Sequence, residues 1–251
     1  MKTAILLTTI FAFVFPICLM IIYKKKTNVP FICFVVGALC FFIFVNVLES
    51  LVHFYFLSIN ESTTIFINSS FVIFVLYAGL MAGIFEETGR LFAFKVFLKK
   101  YNDKKVSIAY GIGHGGMECI LTLGITYLMY AVFLFLGSTG DVATDEMIVQ
   151  IINGLDISVI PYAILERIIA LIIHISLSII MFKACKNSKY FYLYPVSIVL
   201  HAFVDIPAGL YQYGYIKSLL TIELMTLIIT LIIMFVAIKI YKKKENEDVG
   251  I

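Results

Sequence analysis

Glu86 and Glu87 stand side by side, with Arg90 following, in the run 71–94 (FVIFVLYAGLMAGIFEETGRLFAF). Apart from these ionisable residues that run is apolar and long enough to span a bilayer. Charges in the hydrocarbon region cost several kcal/mol or more, so they are rare there and face polar cavities. On a helix Glu86 and Arg90 face the same way, and Glu87 points about 100° round. The guanidinium can therefore hold one carboxylate while the other projects into a cavity. Two carboxylates this close do not ionise alike, which suits general acid–base chemistry. The same triplet also fits a structural ion pair that fixes helix packing.

Two further apolar segments carry a histidine and a carboxylate four residues apart, His114/Glu118 and His201/Asp205. At that spacing the carboxylate can fix the tautomer of its histidine, or both can ligate a metal. Zn²⁺ accepts imidazole nitrogen and carboxylate oxygen, so His114, Glu118, His201 and Asp205 are the candidate ligands if a metal is present. Four glycines surround His114 in Gly111-Ile-Gly-His-Gly-Gly. Glycine costs about 1 kcal/mol in a helix interior relative to alanine. Close helix approach or room for a substrate backbone would explain them, and Gly79-x-x-x-Gly83 and Gly111-x-x-x-Gly115 are small-xxx-small patterns. Glu166 and Arg167 fit either an interhelical ion pair or support for the site, and Arg167 and His174 share one helical stripe. Glu49 and His53 read as structural. No P-loop, GxSxG or HExxH pattern occurs.

These residues need helices through a membrane to position them. The chain is 62% hydrophobic and 14% charged over 251 residues, with a mean hydropathy of +1.03, which excludes a soluble globular domain. Nothing points to nucleic acid. At about 20 apolar residues per crossing, seven spans are expected near 3–23, 31–57, 69–98, 106–136, 159–183, 190–210 and 216–240, in a single all-α membrane domain. The first reads as a retained span rather than a signal peptide, because it lacks a small-residue cleavage site and runs into Lys24, Lys25 and Lys26. The five cysteines read as reduced thiols.

Lysines cluster at alternate crossings: Lys24–Lys25–Lys26; Lys95, Lys99, Lys100, Lys104 and Lys105; Lys183, Lys186 and Lys189; Lys239, Lys242, Lys243 and Lys244. The positive-inside rule makes those loops cytoplasmic, the N-terminus external and the C-terminus cytoplasmic. The long lysine-free loop 137–158 is then external, with a short interfacial helix expected at 145–155. Glu86, His114 and His174 each stand nine positions from the lysine-bearing end, about 13 Å at 1.5 Å per residue, and His201 stands about 18 Å in. Four polar positions from four spans can thus share one cavity, expected to open toward the cytoplasm.

In Glu86-Glu87-x-x-Arg90, Gly113-His114-Gly-Gly-x-Glu118, Glu166-Arg167 with His174, and His201-x-x-x-Asp205, the chain resembles the YhfC family of intramembrane proteases. That family is related to the CAAX prenyl proteases and bacteriocin-processing enzymes. The resemblance covers about 70–210, in the same order. It implies an intramembrane endopeptidase acting on a membrane-associated peptide or protein substrate within the lipid bilayer. Glu86 would activate the attacking water, Glu87 and Arg90 would orient it, and His114, His201 and Asp205 would complete the catalytic group. Glu118, Glu166, Arg167 and His174 would support them. The relatives use either a metal, with zinc the expectation, or a metal-free glutamate mechanism. Two rival functions draw on the same buried residues: a proton-coupled transporter, for which no internal repeat appears, and a non-catalytic bacteriocin immunity or assembly protein.

Overall fold

The computed structural model describes residues 1–243. Lys244, counted above with the last lysine cluster, lies outside the described residues. Among the described residues there are helices and no strand. Seven helices are long and apolar enough to cross a membrane: α1 (Lys2–Thr27), α2 (Ile32–Ile59), α4 (Phe71–Phe97), α5 (Lys105–Leu136), α7 (Ile157–Lys186), α8 (Ser188–Gln212) and α9 (Leu219–Lys242). Two short helices, α3 (Glu61–Asn68) and α6 (Val142–Gly154), lie in the connections. The protein is thus an all-α polytopic membrane protein.

The helix ends follow the polar residues. Ser70, Ser218 and Asp141 accept hydrogen bonds from the backbone N–H of Ile73, Thr221 and Thr144 and so cap α4, α9 and α6. The bonds from Thr144 hold the Asp141 carboxyl below its ordinary range. Helix α1 runs four residues past the apolar segment because its last turn carries Lys24, Lys25 and Lys26, favourable at a helix C-terminus, and it stops at Asn28 in the left-handed region (φ 54°). The acidic-loop helix expected at 145–155 is present as α6.

Helix α7 is the centre of the bundle: 72% of its apolar stretch is buried, against 22–39% for the other six spans. Helix α5 packs between α2, α7 and α1; α4 packs on α8, and α9 on α7 and α8. Large apolar side chains such as Leu7, Leu51, Phe66 and Ile232 face outward, as a lipid-facing surface requires. Four of the five free cysteines are buried and Cys18 is exposed.

Glycine sets how closely these helices meet. A Cβ on Gly113 would lie 2.0 Å from the Phe34 carbonyl oxygen of α2, and one on Gly111 would lie 2.6 Å from the Ile175 Cα of α7. Gly115 meets Leu171 and His174 of α7, and Gly116 meets Pro16 of α1. The four glycines around His114 therefore let three neighbours approach one helix. Gly79 and Gly83 do the same for α4, with Cβ positions 2.8 and 2.6 Å from carbonyl oxygens of Ala202 and Ile198 on α8. Both small-xxx-small patterns are contact faces, and they bring the polar residues of α4, α5, α7 and α8 to one place.

Helices α4 and α5 pass into π-helical geometry just beyond their polar residues, at Ala93–Phe97 and Ile120–Gly124. Such wide turns are concentrated near functional sites. Gly113→Ala must push α5 away from α2, and overpacking of this kind costs about 1–3 kcal/mol. A lower melting temperature in detergent is expected for Gly113→Ala, while Gly154→Ala, with nothing within 4 Å of its Cβ position, melts like the parent. Equal melting of all three proteins would rule out the close contact.

Candidate functional site: a buried Glu–His–Arg cluster

Arg90 is fully buried, and its guanidinium reaches three side chains. It donates to Glu87 Oε1 at 2.5 Å, to Glu86 Oε2 at 3.3 Å and to His174 Nδ1 at 2.6 Å. A guanidinium only donates, so Nδ1 of His174 is the acceptor and carries no proton. The proton of the neutral ring is then on Nε2, which donates to Glu118 Oε2. Glu118 is anchored in turn by Arg167, whose Nη1 donates to Oε1 at 2.6 Å, while Nη2 donates to Glu166 at 2.5 Å.

His201 is oriented by the same logic. Its Nδ1 donates to Glu87 Oε1 at 2.9 Å, which turns Nε2 toward Glu86 Oε1 at 3.6 Å. His114 approaches Glu86 from the third side, with Nε2 2.8 Å from Oε2. Glu86 thus lies among three imidazoles, each 4% exposed or less. Glu86 Oε2, His114 and His174 offer ligand atoms that all lie within 4.8 Å of one another.

The spacing rule foresaw the faces but not the partners. Among the described residues neither i, i+4 carboxylate hydrogen-bonds its own histidine: Glu118 takes His174, and His201 takes Glu87. Both oxygens of Glu118 are occupied, and Asp205, one turn beyond His201, leaves Oδ2 buried without a partner. The group that converges is therefore Glu86, His114 and His174, with His201 beside it, rather than His114, Glu118, His201 and Asp205. Arg90 holds both carboxylates, the tighter contact being to Glu87. Glu49 and His53 form their own pair, at 3.2 Å, with His53 bound to Tyr77.

A cavity of about 150 Å³ leads away from Glu86, lined by Glu118, Arg167, His174, His201, Asp205 and Glu223 among others. Its wall is built from the parts of α7, α8 and α9 nearest their lysine-poor ends. It extends away from the lysine loops, opposite to the direction expected from depth alone, and Phe94, Tyr110, Met181 and Phe182 pack into one apolar cluster toward the lysine-bearing half. A separate cavity of about 460 Å³ at the lysine-bearing end, lined by Lys104, Lys183, Lys186 and Tyr241 among others, includes none of the Glu–His–Arg cluster. Glu223 of α9 is the acid that motif spacing leaves out, since no histidine or arginine follows it at three or four residues. Its signal is an acid in the apolar run LLTIELMTLII.

The profile of the YhfC intramembrane metalloprotease family matches residues 11–226. The chain belongs to that family. It is 34% identical over 245 residues to the uncharacterized membrane protein YhfC of Bacillus subtilis (strain 168), covering 91% of this chain and 92% of that one. No solved structure matches.

The family description implies a metal, and the residues fit one. Imidazoles and a carboxylate are a suitable donor set for Zn²⁺. His201 has Nδ1 fixed by Glu87 and Nε2 turned toward Glu86, the arrangement of metal-binding histidines; His174 has Nε2 fixed by Glu118, and its Nδ1, which accepts from Arg90, would exchange that contact for a metal. The charges agree too: Glu86 and Glu87 face the single cation Arg90, so a cation is needed to balance the group. Removing Arg90 leaves two buried carboxylates with only imidazole partners and no permanent cation, and breaking a buried pair in this way costs about 3–5 kcal/mol. Arg90→Met is expected to lower the melting temperature in detergent far more than Arg167→Met at the half-exposed end of the network. A parent-like melting curve for Arg90→Met would show that the carboxylates are solvated or neutral.

Proposed function

We propose that this protein is an intramembrane endopeptidase that hydrolyses a peptide bond of a membrane-associated substrate. The observation that carries this reading is the position of Glu86: of the two adjacent glutamates, it is the one that lines the cavity. Glu87 is fully buried and committed to Arg90 and His201.

Glu86, His114 and His174 would hold the metal. When bound, it supplies Lewis-acid polarisation of the scissile carbonyl and acidifies a water molecule. Glu86 would accept a proton through Oε1 from the attacking water as the water oxygen bonds to the carbonyl carbon. His201 Nε2, 3.6 Å from Oε1, offers the proton a second resting place. The proton then passes to the leaving nitrogen as the C–N bond breaks, giving a carboxylic acid and an amine. Arg90 and Glu87 keep Glu86 and His201 in register; Glu118, with Arg167 and Glu166 behind it, holds the tautomer of His174. Asp205 lines the approach.

The lysine distribution supports an external N-terminus and a cytoplasmic C-terminus. In that orientation the cavity enters from the external half of the membrane.

Two measurements test the proposal. Purified protein in detergent is expected to contain close to one equivalent of zinc or another divalent metal, lost in His114→Ala/His174→Ala. Cleavage of membrane-associated peptides is expected to fall by a factor on the order of a thousand or more in folded Glu86→Gln, as for loss of an essential catalytic group. Full turnover by Glu86→Gln would exclude Glu86 as the base, and a metal content unchanged by the double substitution would exclude the proposed ligands.

A further inference from the structure

Beyond the Glu86 cluster the cavity wall is acidic and only partly neutralised. Glu118, Glu166, Asp205 and Glu223 line it against the single guanidinium of Arg167, and that guanidinium is already shared by Glu118 and Glu166. Glu223 is only 7% exposed, and its Oε2 is buried without a hydrogen-bond partner among the described residues, as is Asp205 Oδ2. A buried carboxylate without a partner is costly. It is relieved by protonation or by a cation, and the space beside these two acids is the cavity itself, with Ala82, Ala170 and Ala208 leaving room in its wall.

The position suits part of the substrate. Asp205 lies four residues beyond His201, about 6 Å along α8, or about two residues of extended peptide. Building on the peptidase reading above, we propose that Glu223 and Asp205 form a subsite for a positively charged group of the substrate. This group is a lysine or arginine side chain, or a free α-amine, within about two residues of the scissile bond. Glu223 approaches from α9 and Asp205 from α8, and both line the cavity that Glu86 lines, so a cation held there stands beside the catalytic cluster. A permanently empty, protonated pair would give no such preference.

The test uses the full chain carrying Glu86→Gln, so that binding is read without turnover. The probes are fluorescent apolar peptides in detergent that differ at one position, lysine against norleucine, with that position moved along the peptide. Lysine is expected to bind about tenfold more tightly at one register, as for a close charge pair in a shielded site. Glu223→Gln in the same background should erase the difference, and Glu223→Lys should reverse it in favour of a glutamate-bearing peptide. Melting curves establish that each variant is folded.

Equal affinity for lysine and norleucine at every register would overturn the subsite, as would a lysine preference that survives Glu223→Gln. So would an inorganic cation bound stoichiometrically by the peptide-free protein and lost in Glu223→Gln. Cleavage by the parent protein is measured separately: a lysine preference in binding with no cleavage of any peptide would leave the subsite standing and remove the peptidase reading.

Discussion

A guanidinium with no access to water needs partners from protein, and both terminal nitrogens of Arg90 have them, tying α4 to α7. Its contacts to Glu86 and Glu87 are made within α4, and the third, to His174, crosses to α7. That crossing fixes more than packing. It decides which nitrogen of His174 is unprotonated, and so where the proton facing Glu118 sits. Glu118 then needs a second donor, which Arg167 provides. On the other side Glu87 shares its Oε1 between Arg90 and His201, which ties in α8. Glu86, Glu87 and Glu118 each meet an imidazole or guanidinium from another helix, His114, His201 and Arg167, as buried ion networks must if desolvation is not to unfold them. Of the two adjacent glutamates, Glu86 is the one that lines the cavity.

Such a network is short-ranged, and side chains of ordinary length must meet across helix interfaces. Glycine makes that geometry possible. Gly111 and Gly113 let α7 and α2 touch the backbone of α5 on either side of His114, and Gly79 and Gly83 seat α8 against α4. In lipid no hydrophobic drive pulls apolar helices together, so close backbone packing and interhelical polar contacts must do it. Here the two occur in the same turns: the small residues bring the helices close, and the charged residues among them complete the contact.

The same division explains what the sequence reveals. The seven crossings and their boundaries follow from hydropathy, since each apolar run must be long enough to reach across the bilayer. Charge depth brings Glu86, His114, His174 and His201 to one level, and those four do converge. Partner identity does not follow from spacing. An i, i+4 pair establishes a shared helical face, and that face is offered to whichever helix packs against it; Glu118 meets α7 and His201 meets α4. Glu223 is hidden for the same reason. It belongs to no pair along its own helix, and its importance comes from the cavity that α8 and α7 leave beside it. The opening of that cavity toward the lysine-poor end is also a packing result.

The direction of the cavity bears on how such a site works in a membrane. Toward the lysine-bearing ends, Phe34, Phe94, Tyr110, Met181 and Phe182 pack into one buried apolar cluster. The other half carries Asp205 and Glu223, each with a carboxylate oxygen that has no partner among the described residues, on the wall of the cavity beside Glu86. A hydrolytic site needs water, yet the lipid around it excludes water. On the peptidase reading, an acidic vestibule on one side of Glu86 and a packed apolar cluster on the other would reconcile the two demands, admitting water from one face. The charge of the vestibule would, on the same reading, also act on what enters it, disfavouring anionic groups and favouring cationic ones. The carboxylates that would admit water would then also bear on the choice of substrate.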